Sequence, residues 1–104
     1  MEYELRIISE CPNSAPALDL YRQVLAAEND AGDLRVVQVD SEEQAQALHF
    51  HGSPSFIVDG HDLFPSTASP ALTCRVYLGA DGLVGLPSRE DLQGAVRSRV
   101  SDRK

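Results

Sequence analysis

The two side chains in this chain best suited to covalent chemistry are the thiols of Cys11 and Cys74. A thiol reacts as its thiolate, and a free cysteine with a pKa of about 8.5 is mostly protonated at neutral pH. Cys11 stands in Ser9-Glu10-Cys11-Pro12-Asn13-Ser14, directly after the apolar run Leu5-Arg6-Ile7-Ile8 and just ahead of a helical stripe. At a helix start, unpaired backbone N–H groups and the positive end of the dipole favour an anionic sulfur. No Lys or Arg stands beside Cys11 and Glu10 opposes the effect, so only a modest lowering of its pKa is expected. Ser14, three positions on, brings a hydroxyl that can donate to the thiolate. Cys74 falls in the alternating run Thr73–Leu78, where a cysteine is expected in the core; redox partnership with Cys11 is the alternative. His49, His51 and His61 show no metal-ligand spacing, so no metal set is expected. His51 is expected near Cys11, as a cationic neighbour or proton carrier.

The elements that must position these groups are legible in turn. Leu5–Ile8 reads as a buried strand. Pro12 suits the first turn of a helix, where its missing N–H costs nothing. Ala17, Leu18, Tyr21, Val24 and Leu25 then form a helical stripe to about Glu28, stopped by the turn residues 29–33. Leu34–Val39 is the second strand. Ser41 with Gln44 makes a capping-box pattern for a short helix to about Leu48. Ser55–Val58 is the third strand, left through the turn pair Asp59-Gly60. Residues 60–72 read as an exposed loop, Thr73–Leu78 as the fourth strand, and Leu83-Val84 as a brief extended segment. Ser88 with Asp91 caps a last helix carrying Leu92, Ala95, Val96 and Val100.

Length and composition exclude several roles. The 104 residues suit one domain, 1–104, and 42% hydrophobic with 24% charged residues is ordinary globular usage. A net charge of -7 argues against nucleic acid or an anionic membrane, since phosphate recognition needs a concentrated basic patch. Arg97, Arg99, Arg103 and Lys104 gather at the C-terminal end, where they complement the last helix's dipole. No apolar run reaches the roughly 20 residues of a membrane span, and the first residues lack a secretory pattern, so a cytoplasmic location is expected. There, thiols are normally kept reduced.

Two segments resemble the thioredoxin–glutaredoxin superfamily. Glu10-Cys11-Pro12-Asn13-Ser14 stands where that family carries its redox motif. Gly52-Ser53-Pro54-Ser55-Phe56-Ile57-Val58-Asp59-Gly60 is similar to its cis-proline segment, which faces the active cysteine. The βαβαββα order also matches, from Glu4 to about Val100. The resemblance implies a glutaredoxin-type three-layer α/β/α sandwich with a four-stranded mixed sheet of order 2-1-3-4. The third strand would be antiparallel to the first. It further implies that Ser53–Pro54 is cis, leaving the Ser53 backbone N–H and C=O free to pair with an extended thiol peptide, by strand addition. The tail Thr73–Tyr77 with Gly82 and Pro87-Ser88 is also similar to a group of short bacterial thioredoxin-like proteins.

This chain departs from the dithiol pattern at Ser14, which occupies the place of the second cysteine. The expected chemistry is therefore monothiol exchange, with Cys11 as nucleophile and Ser14 as hydrogen-bond donor. Pro12, His51, Ser53 and Pro54 would contact the partner, and an external thiol or Cys74 would resolve the mixed disulfide. Partners would be protein or small-molecule thiols and disulfides, with no cofactor beyond a reduced small thiol, and the chain would be a monomer or weak homodimer. Two other readings stay open. One is a binding or adaptor module without turnover; the other is capture of a soft metal or organometal by Cys11 and Cys74.

Overall fold

A computed structural model describes residues 2–28, 34–66, 69–79 and 82–101 of the chain. Along it run β1 (Tyr3–Ile7), α1 (Ser14–Ala27), β2 (Leu34–Gln38), α2 (Glu42–Leu48) and β3 (Ser55–Val58). After them come β4 (His61–Asp62), β5 (Tyr77–Gly79), β6 (Gly82–Val84) and α3 (Arg89–Ser101). β1 pairs parallel with β2 and antiparallel with β3, and β3 pairs antiparallel with β4. The result is a small α/β domain on a four-stranded mixed sheet of order β2-β1-β3-β4. The turn expected at 29–33, Asp81, and the basic tail residues Arg103 and Lys104 lie outside the described residues.

The fourth strand is not the one the alternation predicts. Asp59 (φ 49°) and Gly60 (φ 81°) both take positive φ, the conformation that a two-residue hairpin turn demands. The chain therefore doubles back at once, and His61–Asp62 takes the place expected of Thr73–Leu78. Leu63 N–H extends this pairing to the Phe56 carbonyl at 2.9 Å before the chain leaves the sheet. Tyr77–Gly79 instead forms a separate two-stranded sheet with Gly82–Val84.

Tyr3 and Leu5 alternate onto one face of β1, beside Phe56 and Val58 of β3. They bury against Ala17, Tyr21, Val24 and Leu25 of α1 and Leu92 and Val96 of α3. Each Val, Leu or Phe among them contributes about 1.5–3 kcal/mol by leaving water. Edge-to-face rings run through this core: Tyr21 lies 5.1 Å from Phe56, and Phe64 5.2 Å from Tyr77. The Tyr21 hydroxyl donates to the Ile57 carbonyl at 2.8 Å, and burial, aided by Tyr3 and Glu4, pushes its phenol well above the ordinary range.

On the opposite face of β1, Arg6 pairs with Glu4 and donates to the Leu48 carbonyl at 2.9 Å, tying down the end of α2. Val39, Ala45 and Phe50 form a second cluster there with Ile8, Leu48 and Leu72. The expected caps are in place: Ser41 Oγ accepts from Gln44 N–H at 3.1 Å, and Ser88 Oγ from Asp91 N–H at 3.1 Å. Glu28, where α1 ends, accepts from Gln93 and Arg97 of α3, and these bonds hold its carboxyl below the usual range. Among the described residues, no helix is long and apolar enough to cross a membrane.

Candidate functional site

Cys11 leaves β1 through a tight turn. Its N–H donates to the Ile8 carbonyl at 3.3 Å, and its own carbonyl accepts from Ser14 N–H at 3.2 Å. α1 begins only at Ser14, so Cys11 precedes the first helical turn and Pro12 stays outside it, exposed. The sulfur-bearing residue is only 8% exposed, yet it belongs to neither hydrophobic cluster. Nor is the expected hydrogen bond from Ser14 present: its Oγ is buried and has no partner.

The proline segment meets this turn. Ser53–Pro54 is cis, and Ser53 Oγ accepts the Ile8 N–H at 3.2 Å. Ile8 thus touches both segments that the sequence singled out, through its carbonyl on one side and its N–H on the other. The Ser53 backbone, however, is not free. Its N–H donates to the Thr73 carbonyl and its carbonyl accepts from Arg75 N–H, both at 2.8 Å. Ser53 and Cys74 form a parallel β-bridge, so Thr73–Arg75 already occupies the edge on which an extended partner was expected.

Local sequence explains why this strap lies where it does. Gly52 has φ +116°, and a Cβ there would come within 2.9 Å of Arg75 Cβ and 3.2 Å of its backbone. Only glycine allows so close an approach. Arg75 Nη1 donates to Asp62 Oδ2 at 2.7 Å and to Ser55 Oγ at 3.2 Å, Nη2 donates to the Phe64 carbonyl, and the guanidinium lies 5.0 Å from the Tyr77 ring centre. The Tyr77 hydroxyl donates to the Pro54 carbonyl. Burial raises the Tyr77 phenol; Arg75 works against this, while the charges of Asp62 and Cys11 add to it. Arg75 and Tyr77 are the residues that sequence reading missed, hidden because their partners lie far away in the chain.

Cys74 is exposed, not in the core. Strand alternation predicts a buried position only if Thr73–Leu78 is a sheet strand. A single bridge leaves its outer side open instead. Cys74 lines a cavity of about 440 Å³ with His51, Phe64, Thr73, Arg75 and Tyr77. His51 shares this cavity with Cys74, and its Nδ1 is buried without a partner. All three histidines line a neighbouring cavity of about 310 Å³ with Arg6, Asp62 and Arg99. Among the described residues, no group of three or more His, Cys, Asp or Glu could hold a metal ion.

No family model, curated protein or solved structure matches this chain.

Proposed function

We propose that the chain is a thioredoxin-like thiol–disulfide exchange protein whose nucleophile is Cys11. The observation that supports this reading is the meeting at Ile8 of the Cys11 turn and the Ser53–Pro54 segment, two stretches far apart in sequence. The Cys11 thiolate attacks one sulfur of a disulfide RSSR, the S–S bond breaks, and RS⁻ leaves with the electron pair. A second thiolate then resolves the mixed disulfide, displacing either Cys11 or the remaining RS⁻ as the leaving group. The positive end of the α1 dipole, which begins at Ser14, favours the anion.

The low exposure of Cys11 and the occupied Ser53 edge favour a second reading, an adaptor without turnover. Alkylation separates the two. Iodoacetamide should modify Cys11 of the native, folded chain at neutral pH. Modification of Cys11 only after unfolding would establish the adaptor.

A further inference from the structure

The Ser53 edge is filled by a segment whose central residue is itself a cysteine. We propose that Thr73–Arg75 is a built-in substrate strand and that Cys74 is the resolving thiol for a mixed disulfide formed at Cys11. This inference rests on the reading of Cys11 as nucleophile.

Cys74 is tied to Ser53 by the two backbone bonds that flank it, Ser53 is tied to Ile8 N–H, and the Ile8 carbonyl to Cys11 N–H. Tyr77, on the same segment as Cys74, binds the Pro54 carbonyl. Hydrogen bonds thus link the backbone at both cysteines to one pair, Ile8 and Ser53. Their surroundings differ: Cys11 is nearly covered, and Cys74 is open to solvent. An outside peptide would have to displace the strap before it could pair with Ser53. A thiol carried by the strap is already held at that edge, and intramolecular delivery raises its effective concentration far above that of a free thiol. Cys74 itself joins the fold only through its bridge to Ser53, while its neighbour Arg75 anchors the strap through Asp62, Ser55 and the Phe64 carbonyl.

The steps balance. Cys11 thiolate attacks RSSR, forming Cys11–S–S–R and releasing RS⁻. Cys74 thiolate then attacks the Cys11 sulfur, the Cys11–S–S–R bond breaks, and a second RS⁻ leaves. Two protein thiols lose two electrons to one small disulfide, and their two protons end on two molecules of RSH. Closing the bridge brings the two Cα atoms to within about 4.4–6.8 Å, a limit that sets how far the strap must shift.

The test uses the full reduced chain, oxidised glutathione as the small disulfide, and intact mass under non-reducing conditions. The native chain should end two hydrogens lighter, with no adduct, and Cys74→Ser should stop at one stable glutathione adduct on Cys11. Bridge formation should be on the order of tenfold or more faster in the native chain than in urea. A stable Cys11 adduct on the native chain, a bridge between two copies only, or equal rates in urea would overturn the role of Cys74 and leave Cys11 standing. Absence of any Cys11 adduct in Cys74→Ser would overturn the reading of Cys11 itself, and the role of Cys74 with it.

Discussion

Arg75→Ala tests whether the strap is held by the contacts described. The Arg75 and Asp62 side chains are 8% and 15% exposed and their ion pair is 2.7 Å long, so solvent screens it weakly. Removing one partner of a buried pair costs about 3–5 kcal/mol, mostly because the other charge is left behind. Asp62 would keep the Phe64 N–H at 2.8 Å, whereas Arg75 also serves Ser55 Oγ and the Phe64 carbonyl. The first fact lowers the cost and the second raises it, leaving a net loss of about 2–4 kcal/mol. A domain of this size has about 5–15 kcal/mol in total, so the variant should fold, with its midpoint lowered on the order of 10–25 °C. Urea unfolding followed by far-UV circular dichroism gives the number, since the chain has no Trp to report by fluorescence. Asp62→Ala and the double variant complete a cycle, with an expected coupling of at least about 1 kcal/mol. A loss below about 1 kcal/mol for Arg75→Ala, or strict additivity in the cycle, would refute the argument.

Gly52→Ala should cost about 2–4 kcal/mol by the same measurement, because it forces a side chain onto a positive φ and into the Arg75 backbone; a loss under about 1 kcal/mol would show that the strap does not press on Gly52. Ser14→Ala should be neutral or stabilising by up to about 1 kcal/mol, since the hydroxyl it removes is buried without a partner. A clear loss would mean that the hydroxyl is bonded. Tyr21 and Tyr77 should remain protonated in the folded chain well above the ordinary phenol value of 10.0. In the unfolded chain they ionise near that value, so their contribution is complete below pH 10 and is lost as pH rises beyond it. An ultraviolet titration showing both phenols ionising normally before unfolding would contradict this.

Much of the sheet was legible because its signals are local. The β-branched runs at Leu5–Ile8 and Leu34–Val39, the caps at Ser41 and Ser88, and the stripe through Tyr21 and Val24 each depend on neighbours in sequence. Alternation failed at Thr73–Leu78, where the same pattern serves a bridge at Cys74 and a hairpin strand at Tyr77. What decided the matter was Asp59-Gly60, a pair recognised as a turn but not followed to its consequence for His61. At the site, the meeting of Cys11 and Ser53 came from the resemblance, while the burial of Cys11 and the occupied Ser53 edge did not. The occupied edge depends on Arg75 finding Asp62 and Ser55 across the chain, a pairing that no periodicity encodes.

The outer border of β3 is assembled from two pieces of chain, one bonded at Phe56 through Leu63 and the other at Ser53 through Thr73. Arg75, on the second piece, donates to the Phe64 carbonyl of the first, and the Phe50 carbonyl holds Ala71. The two pieces brace each other, so a change that loosens one is felt by the other.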